Sequence, residues 1–159
     1  MAERPAFTVR ALSGDDLPAM HGLLTLFGEA FFQPDVYGDA RPDDAYLRRL
    51  LDGDSFIAVV AEAEGRVIGG IGAYELRKFE QARSEIYLYD LAVAEDQRRR
   101  GVATALIRRL QAIARERGAY VVFVQADLED APAVALYTKL GLREEVLHFD
   151  LPLDPARGD

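Results

Sequence analysis

The sequence of 159 residues contains no cysteine and no long apolar run. Without cysteine the chain has no disulfide, no thiolate metal ligand and no cysteine nucleophile. No segment approaches the roughly 20 apolar residues that a membrane span needs, and the first ten residues lack the apolar centre of a signal peptide. We therefore expect a cytoplasmic protein that does not enter a membrane.

Histidine is scarce, and the acidic residues outnumber the basic ones. His21 and His148 stand apart from any ligand-like spacing, so we expect both to be structural and predict no metal site. The net charge of −8 disfavours nucleic acid as a partner and suits polycations, although taken alone it favours ordinary solubility as its explanation. Half of the residues are hydrophobic, which is enough for one domain spanning residues 1–159.

Hydrophobic periodicity predicts a chain of the α/β class. Strands and helices alternate irregularly, which indicates a mixed sheet with helices on both faces. The predicted elements are a strand at 7–12, a helix from 17 to about 32, a loop at 33–42, a short helix from 43 or 44 to about 51, a hairpin of 55–62 and 66–74, a central strand at 85–93, a helix at 102–117, a short buried strand at 119–125, a helix at 132–140 and a final strand or two within 142–151.

Three consecutive arginines and a glycine stand where the helix at 102–117 begins. The unpaired N–H groups of a helix N-terminus bind anions, and a glycine lets the backbone approach a bulky anion closely. Arg98, Arg99, Arg100 and Gly101 therefore predict a pyrophosphate site. The alternative is a solvated helix start.

Asp90 is the only charged residue between Ile86 and Val93. A carboxylate in so apolar a strand is costly unless it is paired, hydrogen-bonded or open to a cleft. This position favours a functional role at the end of the central strand. The alternative is a structural acid paired with Arg83 or Arg98.

Three more carboxylates follow the next predicted strand, at Asp127, Glu129 and Asp130. If the two strands are neighbours, these acids face the same cleft as Asp90, and together they suit a substrate with several ammonium groups. The alternative is a solvated loop in which Glu129 or Asp130 caps the following helix.

These motifs resemble the GNAT N-acetyltransferases. Arg98-Arg-Arg-Gly101-Val102-Ala103 is similar to the cofactor motif of that family, and the segment from Asp130 to Leu142 is similar to its second motif. The resemblance implies a GNAT-like central mixed sheet with splayed central strands and acetyl-CoA as co-substrate. It also implies that backbone N–H groups from Arg99 to Thr104 hold the pyrophosphate, and that Leu91-Ala92-Val93 pairs with the pantetheine arm.

A closer similarity links residues 78–93, 118–121 and 130–141 to the class I aminoglycoside 3-N-acetyltransferases. It implies direct acetyl transfer, in a ternary complex, to the 3-amino group of a gentamicin-type aminoglycoside. In this interpretation Asp90 binds the ammonium and accepts its proton, and Tyr137 protonates the leaving thiolate. The acids Asp127, Glu129 and Asp130 position the other ammonium groups, and a homodimer is expected.

Two other interpretations stay open. The first keeps the chemistry and changes the acceptor to a polyamine, an N-terminal peptide amine or a lysine. The second is an acyl-CoA-binding module without catalysis, against which the presence of both Asp90 and Tyr137 argues. The loop at 33–37 is expected to act as a lid.

Overall fold

The computed structural model describes residues 6–33 and 35–154. A π-helical turn at Asp35–Asp39 follows the first helix, and a 3-10 turn at Glu95–Gln97 follows the fourth strand. The helices and strands are β1 (Thr8–Ala11), α1 (Leu17–Ala30), α2 (Asp44–Asp52), β2 (Phe56–Ala63), β3 (Arg66–Arg77), β4 (Ser84–Val93), α3 (Val102–Arg117), β5 (Ala119–Val124) and α4 (Ala131–Leu140).

The chain forms two compact units, of which the first extends to Gln125 and the second begins at Ala126. The five strands found in the described residues belong to the first unit, and α4 belongs to the second. A single domain over residues 1–159 stays a prediction.

The five strands form one mixed sheet in the order β1-β2-β3-β4-β5. The first three pairings are antiparallel, and β4 pairs with β5 in parallel. A parallel pair needs a crossover, and α3 supplies it between β4 and β5. The predicted mixed sheet is therefore confirmed.

Helices cover both faces of this sheet, as two neighbouring glycines of β3 show. A Cβ atom at Gly69 would lie 2.9 Å from a Val102 methyl group on α3, and one at Gly70 would collide with Leu23 on α1. Adjacent residues of a strand point to opposite faces, so α1 and α3 lie on opposite sides of β3. Glycine at both positions allows each helix to approach the sheet closely.

The ends of three helices follow signals in the sequence. The Asp43 carboxylate accepts the Tyr46 N–H at 2.9 Å where α2 begins, and the Asp130 carboxylate accepts the Ala133 N–H at 3.2 Å where α4 begins. Gly118 ends α3 in the left-handed conformation, with φ of 77°. Of the two residues that the alternative interpretation offered as the cap of α4, Glu129 and Asp130, the structure shows Asp130.

The prediction for the chain beyond α4 is wrong. The described residues after Gly141 form neither helix nor strand, although a final strand or two was expected within 142–151.

The prediction of a buried strand at β5 is also wrong, because Tyr120 is 48% exposed and Val121 is 39% exposed. An alternating apolar pattern indicates an extended segment. It does not determine whether that segment pairs with another strand or becomes buried.

Both histidines have acidic neighbours. His21 Nε2 lies 2.7 Å from Asp44 Oδ1, and His148 Nε2 lies 3.0 Å from Asp150 Oδ1. In residues 6–33 and 35–154, no three His, Asp or Glu side chains gather as metal ligands would. None of the described helices is both long and apolar enough to cross a bilayer.

Candidate functional site

A β-bulge in β4 sets the position of Asp90. Gly72 of β3 pairs with Asp90, while the next residue, Ala73, pairs with Leu88. Tyr89 is therefore an extra residue on β4. A bulge interrupts the alternation of side chains and redirects them, and bulges are frequent beside active sites.

The pairing between β4 and β5 ends in the middle of β4. The last pair in register is Leu88 with Val124, whereas β4 continues to Val93. No strand of the described chain lies against Leu91-Ala92-Val93 on the β5 side. This open edge, directly beyond Asp90, offers backbone groups to an extended ligand.

The Asp90 carboxylate is half-buried and is held by a tyrosine rather than by a cation. Burial raises the pKa of Asp90, and a hydrogen bond from the Tyr37 side chain partly opposes that rise. The expected alternative partners lie elsewhere. The Arg83 guanidinium lies 3.8 Å from the centre of the Tyr120 ring, and Arg98 Nε donates to the Val93 carbonyl at 3.4 Å.

Tyrosines surround Asp90, and the sequence analysis did not identify them. Burial is the leading cause that raises the pKa of Tyr37, Tyr74 and Tyr87, and the Asp90 charge contributes in each case. The Tyr89 ring packs edge-on against Tyr74 and Tyr87, with ring centres 5.7 Å and 5.4 Å apart. The only sequence signal was the alternation Tyr87-Leu-Tyr89 immediately before Asp90.

Tyr37 reaches the site from the π-helical turn at Asp35–Asp39. Its ring packs against Phe27 of α1 and Phe31 directly after that helix, with ring centres 6.0 Å and 5.8 Å apart, and Arg41 Nε donates to its carbonyl at 3.0 Å. The segment 33–37, expected to act as a lid, therefore contributes a direct neighbour of Asp90. Pro34 of that segment lies outside the described residues.

The start of α3 has the features of an anion site. Gly101 has φ of 79° and Arg99 has φ of 63°, and both lie in the left-handed region. No side chain caps the helix, and its first turn has no acidic residue, so the N–H groups from Val102 to Thr104 are open to an anion. A Cβ atom at Gly101 would meet nothing within 4 Å, which leaves room for a bulky group.

The three arginines before that helix are exposed on the loop. Arg100 Nη1 donates to the Gln97 side chain at 2.6 Å, and this contact holds the turn. A non-glycine residue such as Arg99 in the left-handed conformation is strained, and such strain is frequent at ligand sites. The backbone and charges of this loop therefore fit a diphosphate group.

The remaining predicted site residues belong to the second unit. The Asp130 N–H donates to the Asp127 carbonyl and the Ala131 N–H donates to the Glu129 carbonyl, both at 3.0 Å, in the turn that leads into α4. The side chains of Asp127, Glu129 and Asp130 are exposed. A cleft that these acids share with Asp90 stays a prediction.

Tyr137 lies on α4 in the same second unit and is half-buried. Burial, followed by the Asp130 charge, raises the pKa of Tyr137 to about 12. A hydroxyl with this pKa is protonated throughout the neutral range, as a proton donor must be. Its role as donor stays a prediction.

Comparison with known proteins identifies the class that this fold and site define. Residues 20–142 match the model of the acetyltransferase (GNAT) family. The match covers most of the chain, including the β4 bulge and the start of α3. The chain belongs to the GNAT acetyltransferase family.

Two solved structures give a narrower comparison. An aminoglycoside acetyltransferase from an uncultured soil metagenomic sample is 57% identical, with a TM-score of 0.90 over 93% of this chain and 99% of that chain. A second soil metagenomic aminoglycoside acetyltransferase, solved in complex with sisomicin, is 30% identical, with a TM-score of 0.86 over 94% of this chain and 97% of that chain.

Curated relatives match over a shorter part of their length. N-acetyltransferase 8 of Homo sapiens is 32% identical over 85 residues, which are 54% of this chain and 37% of that protein. N-acetyltransferase 8B of Rattus norvegicus is 31% identical over 90 residues, 57% of this chain and 40% of that protein. The chain thus spans about two fifths of the length of these relatives.

Proposed function

We propose that this protein transfers the acetyl group of acetyl-CoA to an amine of an aminoglycoside, at the 3-amino group of a gentamicin-type compound. The observation that carries the proposal is the half-buried Asp90 carboxylate, which has no cationic partner among the described residues and lies where β4 and β5 separate. The similarity to two aminoglycoside acetyltransferases supports this substrate class. Direct transfer in a ternary complex is consistent with a chain that has no cysteine to carry an acyl group.

Residues at two places would hold acetyl-CoA. The N–H groups from Arg99 to Thr104, with the guanidinium groups of the preceding loop, would bind its diphosphate. The open edge of β4 at Leu91-Ala92-Val93 would pair with its pantetheine arm. When bound, acetyl-CoA supplies an activated acyl group as a thioester.

Asp90 would bind the substrate ammonium and accept its proton. An amine attacks only after it loses that proton, and a carboxylate is a stronger base when burial raises its pKa. The N–H of Leu91 or Val93, on the same strand, would then stabilise the oxygen that gains negative charge. Tyr137 would supply a proton to the leaving sulfur.

The surroundings of Asp90 suit a polycationic sugar. Tyr74, Tyr87 and Tyr89 combine aromatic faces, on which sugar rings pack, with hydroxyl groups that form hydrogen bonds. The net charge of −8 favours the approach of a polycation, and high salt would weaken this effect. Asp127, Glu129 and Asp130 would bind further ammonium groups of the substrate.

An acetylation assay with a panel of amines tests the proposal. Thiol release from acetyl-CoA is measured with gentamicin, sisomicin, spermidine, a peptide with a free N-terminus and a lysine peptide, and mass spectrometry locates the acetyl group. We expect rapid turnover of gentamicin, with one acetyl group on its 3-amino nitrogen. Preferred turnover of a polyamine or peptide would contradict the substrate assignment, and acetyl-CoA binding without any thiol release would contradict catalysis.

A further inference from the structure

Arg41, which follows the π-helical turn at Asp35–Asp39, joins that turn to α1. Its Nε donates to the Tyr37 carbonyl at 3.0 Å, its Nη1 to His21 Nδ1 at 3.0 Å, and its Nη2 to Thr25 Oγ1 at 3.1 Å. His21 and Thr25 are four residues apart on α1, so they lie on the same face of the helix. One guanidinium group therefore binds both the turn and the helix through its three nitrogens.

His21 in turn holds the Arg41 side chain in place. The nitrogens of arginine only donate hydrogen bonds, so His21 Nδ1 accepts the bond from Arg41 and the ring hydrogen of His21 lies on Nε2. That N–H donates to Asp44 Oδ1, 2.7 Å away, where α2 begins. Consecutive hydrogen bonds thus connect the start of α2, the side of α1 and the carbonyl of Tyr37.

Side-chain packing covers this turn only in part. The Tyr37 ring packs against aromatic rings at the end of α1, but Val36 beside it is 58% exposed. A groove of about 390 Å³ also lies between α1 and the turn. Its lining includes Leu24, Gly28, Gly38 and Arg41. The hydrogen bonds of Arg41 therefore hold the turn where packing does not.

We propose that Arg41 is a positioning residue for acetyl transfer, because it holds the turn from which the Tyr37 side chain reaches Asp90. The hydrogen bonds of Arg41 within the described residues do not include one to Asp90, so its effect passes through Tyr37. The importance of this position for turnover rests on the proposed role of Asp90 as the base. The position of Tyr37 itself is measurable without any substrate.

Titration of the Asp90 carboxyl group by ¹³C NMR tests the inference in the absence of substrate, with Asp90→Asn to assign the signal. In Arg41→Gln the turn is released and Tyr37 no longer lowers the pKa of Asp90, so we expect that pKa to rise as far as it does in Tyr37→Phe. Arg48→Gln is the matched control, because it removes the same charge from an exposed arginine on α2. Asp90 should titrate in this control as in the unmodified chain.

A double-mutant cycle separates positioning from a direct effect of the Arg41 charge. In the Tyr37→Phe background, Arg41→Gln should leave the titration of Asp90 unchanged, since the hydroxyl through which Arg41 acts is absent. Shifts that add, or no shift in Arg41→Gln alone, would overturn the inference. Thermal unfolding checks that each variant is folded. If Arg41→Gln does not fold, Arg41→Lys replaces it, because lysine keeps the charge and has one donor nitrogen instead of three.

The pH dependence of gentamicin acetylation connects this position to the reaction. We expect the acid limb of kcat/KM in Arg41→Gln to move to higher pH, in parallel with the titration of Asp90, and to stay in place in Arg48→Gln. A shifted titration with an unchanged limb would show that Arg41 does not position the reaction. If the unmodified chain does not acetylate gentamicin, the proposed function fails, while the titration still decides whether Arg41 holds Tyr37 beside Asp90.

Discussion

The Tyr37 side chain, from the turn after α1, lies beside the Asp90 carboxylate in the bulge of β4 and lowers the pKa of that carboxylate. This contact joins a segment without regular periodicity to β4, an interior strand of the sheet. It opposes the effect of burial, which raises the pKa of Asp90. The basicity of the proposed catalytic carboxylate therefore depends on a residue outside the strand that carries it.

Tyr37→Phe should move the acid limb of the pH–rate profile to higher pH. Without the hydroxyl, the charged form of Asp90 loses a hydrogen bond, so its pKa rises further and a higher pH is needed to keep it deprotonated. The measurement is kcat/KM for acetylation of gentamicin against pH. Tyr46→Phe is the control. Tyr46 contributes to the raised pKa of Tyr74, but it is not among the causes that shift the pKa of Asp90. An unchanged limb in Tyr37→Phe would mean that this hydrogen bond does not tune Asp90.

Asp90→Asn should stabilise the fold near neutral pH. Burial raises the pKa of Asp90 in the folded state above its value in the unfolded chain. Above the folded-state pKa, the charged carboxylate therefore lowers the free energy of unfolding. The neutral amide avoids this cost. We expect Tm of the variant to exceed that of the unmodified chain at pH 7, and the difference to disappear as the pH falls below the pKa of Asp90. A variant that is less stable at pH 7 would show that the charged carboxylate serves the fold.

Gly101→Ala should weaken the binding of coenzyme A more than Gly118→Ala. Gly101 precedes α3 and Gly118 follows it, and both have a left-handed backbone conformation, with φ of 79° and 77°. A Cβ atom at either position would meet nothing within 4 Å. The two substitutions therefore cause similar strain in the helix, of about 1 kcal/mol. Only the change at Gly101 lies where the diphosphate is expected.

Isothermal titration calorimetry with coenzyme A checks this comparison. We expect Kd to rise about tenfold in Gly101→Ala, as for the loss of one hydrogen bond to a charged group, and to change little in Gly118→Ala. Equal effects in the two variants would place the diphosphate elsewhere.

Tyr137→Phe should slow turnover while the affinity for acetyl-CoA stays nearly unchanged. The pKa of about 12 keeps the hydroxyl protonated at working pH, so its removal takes away a proton donor and little volume. Pre-steady-state measurement of thiol release, compared with acetyl-CoA binding by calorimetry, separates the two effects. Full activity of this variant would show that Tyr137 is not the proton donor and has only a structural role.

The sequence predicted those parts of the fold that local signals determine. The bounds of α3 agree at both ends, because Gly101 and Gly118 enclose an apolar face of helical period. The position of Asp90 on the central strand also agrees, since a lone charge in an apolar strand is conspicuous. The bulge at Tyr89 was not predictable, because a bulge is defined by the pairing with β3, which depends on a distant part of the chain.

The contribution of Tyr37 was also missed. Its loop was recognised from proline, glycine and aspartate, and these residues indicate a turn without indicating where the turn packs. In the structure the rings of Phe27 and Phe31 fix Tyr37 against α1, and this tertiary contact brings it to Asp90. After Gly141 the alternating pattern predicts a strand, and the structure has none among the described residues there.

The central claim is that Asp90 takes the proton of the attacking amine, and steady-state acetylation of gentamicin by Asp90→Asn tests it most directly. The amide keeps the size of the side chain and removes its basicity. We expect kcat to fall by roughly 10²–10⁴-fold, the usual contribution of a general base. An unchanged kcat, with the whole loss in KM, would contradict the claim and leave Asp90 as a binding group only.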